Sequence, residues 1–155
     1  VQYAAKMGMR TVAISTSDSK KELAKELGAH HFINTDEKDA AKELQNLGGA
    51  KLILATAPYS KAITSVVGGL GTDGKLLMVA ATGDPIEVSP MELLMGRKSV
   101  AVWHSGTAMD SEDTLDFSAL TGTRPKIEEY QLDKVNEAYD RMINNKARFR
   151  VVLKP

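Results

Sequence analysis

Short apolar runs rich in β-branched residues alternate with helical stretches of roughly ten residues, and no other feature restricts the possible folds as strongly. The runs are Arg10 to Ser15, His30 to Asn34, Lys51 to Thr56, Gly74 to Ala81 and Ser99 to Trp103. Between them, helical spacing occupies Ser17 to Gly28, Asp36 to Leu47, Ser60 to Leu70 and Pro90 to Met95, and a further helix from Val1 to Gly8 precedes the first run. Strands joined through helices are expected to pair in parallel by right-handed crossovers, with both faces of the sheet covered. The expected fold class is therefore α/β, a doubly wound parallel sheet.

The tail changes character. Asp110 to Thr121 reads as an amphipathic helix carrying Leu115, Phe117 and Leu120, and Lys126 to Leu132 as an extended segment. Asp133 to Asn145 reads as a helix entered through an aspartate cap, and Phe149 to Leu153 as a last strand. No linker rich in proline, glycine or serine divides this tail from the sheet region, so the expected division is a dinucleotide-binding region over 1–108 and a docked extension over 109–155. The chain opens inside helical spacing without a cap residue, which reads as a domain that continues upstream.

Composition removes several function classes. Twenty basic and twenty acidic side chains give a formal net charge of zero, which argues against general attraction to nucleic acid or anionic membrane. No run approaches the ~20 apolar residues of a membrane span. With no cysteine, the chain offers neither a disulfide framework nor a thiolate for catalysis or zinc, and this fits a cytoplasmic protein.

In a doubly wound sheet, ligands bind beyond the carboxyl ends of the strands. An NAD site places Asp or Glu at the end of the strand that follows the glycine-loop helix, where it accepts from the ribose 2′-hydroxyl. This chain has Ser15, Thr16 and Ser17 there, followed by Ser19, Lys20 and Lys21. Hydroxyls, lysine ammonium groups and helix-start N–H groups favour a 2′-phosphate, whereas a carboxylate would repel it, so the expected cofactor is NADP. Asp18 is the one discordant residue, placed where it can cap a helix and face water. The plain alternative for the segment is a capped helix with solvated lysines.

The segment Val1 to Gly8 resembles the helix after the glycine-rich loop of zinc-type, medium-chain alcohol dehydrogenases. Ser15 to Glu22 with Leu27-Gly28-Ala29 resembles the NADP-selecting loop of their cinnamyl alcohol dehydrogenase-like branch. Gly74 to Val79, Pro90 to Lys98, Val135 to Met142 and Arg148 to Val152 resemble further family segments in the family's order and spacing. The resemblance implies a Rossmann-type domain lacking its first strand and glycine loop, followed by a helix-strand extension that packs on a catalytic domain absent from this chain. It implies an enzyme that interconverts alcohols and aldehydes by hydride transfer, with NADP and a catalytic zinc whose ligands are not among these residues. No catalytic and no metal-ligating residue can be carried over. Gly68, Gly69 and Gly71 do not replace the missing loop, because they follow a helix and precede a strand; they are expected to form a turn.

Cofactor contacts implied by position are Thr56, Val79, Ala80, Ala81, Trp103, His104, Ser105 and Arg150. Thr56 ends the strand that passes the adenosine and nicotinamide ribose in the family; a polar strand end is its plain alternative. Val79, Ala80 and Ala81 match the segment whose backbone meets the nicotinamide amide, with alanine at 80 where the family usually has glycine. Trp103, His104 and Ser105 match the segment beside the nicotinamide and substrate pocket, although a lone tryptophan is more often core or interface. The family has a hydrophobic residue in place of His104, which is read as lining the pocket and not as an acid catalyst. Arg150 matches the arginine that reaches the cofactor pyrophosphate.

The strand Ser99 to Trp103 is expected at the sheet edge, apolar and without proline, which suits pairing in a homodimer. Two other functions share the fold. An S-adenosylmethionine-binding domain would carry an acid where Ser15 and Thr16 stand, and a non-catalytic nucleotide-binding or dimerisation module would lack the upstream loop and zinc ligands altogether.

Overall fold

The parallel pairing expected from the alternation is present throughout. The structure, a computed structural model, describes residues 1–144 and 146–155. The chain forms two compact units, Val1–Met109 and Asp110–Pro155.

In the first unit, α1 (Gln2–Lys6) leads into β1 (Val12–Ser15), and α2 (Lys21–Glu26) carries the chain to β2 (His31–Asn34). Next come α3 (Ala40–Asn46), β3 (Ala50–Ala55), α4 (Ser60–Val67), β4 (Leu70–Met78), α5 (Pro90–Gly96) and β5 (Ser99–Val102). Strand β1 pairs in parallel with β2, from Val12 opposite His31 to Ser15 opposite Asn34. Strands β3, β4 and β5 form a second parallel ladder in that order, with β5 at its edge. Helices α2, α4 and α5 lie between paired strands and serve as crossovers, as parallel pairing requires. Helix α3 connects β2 to β3, and these belong to different ladders. Among the described residues no strand pairing joins the two ladders.

Side chains bridge that break. Ile33 of β2 and Ala40 and Leu44 of α3 pack in one buried cluster with Ile53 and Ala55 of β3, Ile63, Val66 and Val67 of α4, and Leu70 and Leu76 of β4. Ile63, Leu70 and Leu76 are the largest side chains fully withdrawn from water, and each such burial stabilises the fold by about 1.5–3 kcal/mol. Helix α3 starts where Asp39 accepts from the Lys42 backbone N–H at 3.0 Å, and α5 where Ser89 accepts from that of Glu92 at 3.4 Å.

Several boundaries differ from expectation for local reasons. The segment Ser17 to Gly28 begins as a 3-10 turn, Asp18–Lys20, so only six residues of it form α2. Helix α4 stops at Val67, and β4 starts at Leu70, so Gly71 and Gly74 lie in a strand instead of a turn. Here the backbones of β3 and β4 nearly touch. Gly49 has φ +79°, and a Cβ on it would lie 2.5 Å from the Gly71 Cα. The register of the pair is irregular between Ala50 and Leu52. Glycine at 49 and 74 is required by this close approach and not by a tight reversal, and a Cβ on Gly71 would meet the Gly48 carbonyl oxygen at 3.3 Å.

Helix α6 (Ala108–Thr121), all but its first two residues in the second unit, precedes β6 (Ile127–Gln131), α7 (Val135–Ile143) and β7 (Arg150–Lys154). Strands β6 and β7 pair in parallel, from Ile127 opposite Arg150 to Gln131 opposite Lys154. Helix α6 buries none of its residues, and Leu115 and Leu120 are 70% and 86% exposed, so no apolar stripe of α6 faces a core within this unit. Asp133 does not cap α7: it lies in a 3-10 turn, Leu132–Lys134, and Lys134 takes the cap position without a side-chain bond. Asn145, the expected end of that helix, lies outside the described residues. Glu128 of β6 ties the unit together by accepting from Arg141 of α7, through Nε and, at 3.0 Å, Nη2, and from the Arg148 backbone N–H at 2.9 Å. The hydrogen bond from Arg141 holds the Glu128 carboxyl below its ordinary pKa, against partial desolvation, and the Arg148 bond acts in the same direction.

Candidate cofactor-binding site

Parallel pairing in register brings the carboxyl ends of the strands level. Ala55 lies opposite Met78, and Met78 opposite Val102, so β3, β4 and β5 end along one rim. The next residues remain in step: the Val79 N–H donates to the Ala55 carbonyl at 3.1 Å, and the Trp103 N–H to the Met78 carbonyl at 2.9 Å. Thr56, Val79 and Trp103 therefore leave the ladder at the same rim, followed by Ala80 and Ala81 after β4 and by His104 and Ser105 after β5. All of these are exposed except Ala80, which is half-buried. Ser105 Oγ bonds locally to the Gly106 carbonyl at 3.3 Å.

The shorter ladder has its own rim. Ser15 ends β1 beside Asn34, and the Thr35 N–H donates to the Ser15 carbonyl at 2.9 Å. Thr16 and Ser17 then turn into the 3-10 segment, where the Ser17 and Ser19 hydroxyls lie 2.9 Å apart. Lys20 and Lys21 follow, half-buried, with the Lys21 ammonium 3.9 Å from Asp18 Oδ2. Lys21 belongs to the first turn of α2. Because α2 has only six residues, the attraction for an anion here rests on side-chain hydroxyls and ammonium groups and not on a helix dipole. Hydroxyl donors, two lysines and no carboxylate at the strand end suit a ribose 2′-phosphate.

Arg150 stands apart from both rims in the sequence of elements: it opens β7 in the second unit, exposed. Two rim residues are additional to those expected from the sequence. Thr35 follows β2 and touches the end of β1 through both its N–H and its hydroxyl, the latter at 3.4 Å from the Ser15 carbonyl. Tyr59 precedes α4, three residues after Thr56, with 68% of its surface exposed. The signal that points to both is their place just beyond a strand end, that of β2 for Thr35 and that of β3 for Tyr59.

The amino ends of the longer ladder hold a different arrangement. Arg97 Nε and Nη2 donate to the two carboxylate oxygens of Asp73 at 2.8 and 3.0 Å. The guanidinium holds the Asp73 carboxyl below its ordinary pKa, first through this hydrogen bond and then by its charge. Lying before β5 and early in β4, the pair is an exposed ion pair placed away from the rim.

The profile of the zinc-binding dehydrogenases matches residues 1–120. The chain belongs to this family. Alcohol dehydrogenase patD of Penicillium expansum is 46% identical over 153 residues, which are 99% of this chain and 45% of that protein. Probable cinnamyl alcohol dehydrogenase 6 of Arabidopsis thaliana is 33% identical across 99% of the chain and 42% of its own length. Among solved structures, a cinnamyl alcohol dehydrogenase of Sorghum bicolor superposes with a TM-score of 0.84 and 29% identity, over 98% of this chain and 43% of that one. The chain thus spans less than half the length of these relatives. Membership sets aside the S-adenosylmethionine alternative, in agreement with the missing acid at Ser15.

The zinc that the family name carries does not fit these residues. Among the described residues no group of three histidine, cysteine, aspartate or glutamate side chains is placed to hold a metal ion. No helix among them is long and apolar enough to cross a membrane.

Proposed function

We propose that this chain is the NADP(H)-binding part of an alcohol dehydrogenase that interconverts alcohols and aldehydes, the 1–108 region holding the cofactor and the 109–155 extension packing on a catalytic domain. The observation that carries the cofactor choice is the rim after β1: Ser15, Thr16, Ser17 and Ser19 with Lys20 and Lys21, and no acid at the strand end. NADPH supplies a hydride when bound. The work of this chain is to hold the adenosine 2′-phosphate on the hydroxyls and lysines, and to present Thr56, Val79, Ala80, Ala81 and the Trp103–Ser105 segment along the nicotinamide side. Trp103, 59% exposed at that rim, can shield a reacting face from water, and His104 is assigned to lining the substrate pocket.

Binding of NADPH and NADH to the full-length enzyme tests the reading. A charge-assisted contact contributes about 1.5–3 kcal/mol, so NADPH should bind roughly ten- to a hundredfold more tightly, and replacing Lys20 and Lys21 by alanine should remove most of that preference. Equal affinities in the unmodified enzyme would overturn it.

The partner assignment is a homodimer in the cytoplasm through the edge strand β5. Support comes from Val102 at 68% exposure beside Trp103 and from Leu94 and Met95 of α5, exposed by 72% and 80%, which leave an apolar margin on an open ladder. Light scattering at micromolar concentration should give twice the monomer mass, and Val102→Lys should lower it.

A further inference from the structure

The loop after β1 contains one carboxylate among its hydroxyls and lysines, and its position has a consequence for selectivity. Asp18 Oδ2 lies 3.9 Å from the Lys21 ammonium, and both side chains are about half exposed, at 51% and 42%. Asp18 sits between Ser17 and Ser19, whose hydroxyls are 2.9 Å apart. It caps nothing: the 3-10 turn that it opens has Ser17 as its cap residue, with no side-chain cap bond. Its ion pair is with Lys21, one of the two cations assigned to the phosphate.

An anion hydrogen-bonded to that ammonium at about 2.8 Å lies, by the triangle of distances, within about 7 Å of the Asp18 oxygen. This is shorter than the screening length of about 10 Å at 0.1 M salt, so the two anions repel each other. The same geometry makes the carboxylate and the phosphate rivals for one ammonium. A ribose 2′-hydroxyl carries no charge and meets neither effect.

We propose that Asp18 limits cofactor selectivity: it occupies Lys21 in the absence of cofactor and repels the 2′-phosphate in its presence, so that NADP(H) is bound less tightly than the loop's cations and hydroxyls allow. The proposal rests on the NADP(H) reading above. It makes Asp18 a specificity-determining residue that acts against the bound phosphate.

The test is Asp18→Asn in the full-length enzyme, with Asp18→Ser as a second variant suited to a serine-rich loop. Affinities are measured for NADPH, NADH, 2′,5′-ADP and 5′-AMP, at low and high salt. A dianion about 7 Å from a removed charge gains roughly five- to tenfold in affinity in water-like surroundings. NADPH and 2′,5′-ADP should tighten by that factor at low salt and by less at high salt, while NADH and 5′-AMP stay unchanged; Asp18→Glu should behave as the native enzyme. A general structural role would move all four ligands together and would overturn the proposal, as would an unchanged or reduced NADPH to NADH ratio in both variants. If the native enzyme shows no preference for NADPH, the NADP(H) reading fails by itself; a gain confined to the 2′-phosphorylated ligands in the variants would still identify Asp18 as the selectivity limit.

Discussion

Gly49→Ala separates backbone conformation from packing, because the neighbouring Gly48 supplies its own control. Both glycines have positive φ, +97° at Gly48 and +79° at Gly49, so alanine at either costs about 1–2 kcal/mol for the left-handed conformation. The surroundings differ. A Cβ on Gly48 meets nothing within 4 Å, whereas one on Gly49 lies 2.5 Å from the Gly71 Cα and 2.8 Å from its nitrogen, both backbone atoms of β4. Relieving that overlap means moving β3 away from β4 where their register is already irregular, and overpacking of this kind costs about 1–3 kcal/mol more. Gly49→Ala should therefore destabilise by about 2–5 kcal/mol and Gly48→Ala by about 1–2 kcal/mol, against a whole-domain stability of about 5–15 kcal/mol. Urea unfolding followed by far-ultraviolet circular dichroism, with the two variants in the same length of polypeptide, measures the gap. Equal losses would refute the close approach of β3 and β4 as the reason for glycine at 49.

Other contacts give further expected outcomes. Asp39→Ala should cost about 1 kcal/mol by removing the cap bond to the Lys42 N–H, and urea midpoints would register it. The folded pKa of Glu128 is depressed below 4.5, so its contribution to stability is full above that value and is lost as pH falls through the folded pKa. Acid titration of Glu128→Gln should accordingly show a shallower loss of stability below about pH 4.5 than the native protein. Because the ladders of β1 and β3 are not joined, residues 1–155 alone should neither turn over alcohols nor bind NADPH at micromolar strength; calorimetric titration of the isolated chain tests this.

The alternation of strands and helices was legible because a buried parallel strand and its crossover helix need different residue spacings, and these are written plainly from Arg10 to Trp103. Thr56, Val79 and Trp103 were named through the family resemblance; what parallel register adds is that these positions leave their strands at one end, with the Val79 and Trp103 N–H groups still in step with the neighbouring strands. What remained hidden depends on contacts distant in sequence. Gly71 and Gly74 look like a turn until the backbone of Gly49 lies against the first and that of Ala50 against the second. Leu115, Phe117 and Leu120 suggest an apolar face, yet nothing in the spacing of one helix says whether a core lies opposite. Asp133 has the right chemistry for a cap, but the 3-10 turn moves the helix start two residues past it. The pairing of Asp18 with Lys21 needed side-chain positions that no spacing supplies.

In residues 1–155 taken alone, the break between the two ladders also bears on motion. Amide protons in a continuous sheet are released together, because each strand holds its neighbours, whereas here β1 and β2 can open without breaking any strand-to-strand hydrogen bond of β3, β4 or β5. What couples the halves is side chains and not strand pairing: Ile33, Ala40 and Leu44 share a buried cluster with Ile53 and Leu76, and Gln45 of α3 donates to the Gly68 and Leu70 carbonyls at 2.6 and 3.0 Å. Such a joint tolerates small rotations that a hydrogen-bonded ladder would resist, and it weakens on cooling as the hydrophobic contribution fades. Hydrogen exchange in residues 1–155 taken alone is thus expected to resolve into two protection levels, one for the strands whose rim carries Ser15 to Lys21 and another for those whose rim carries Thr56, Val79 and Trp103.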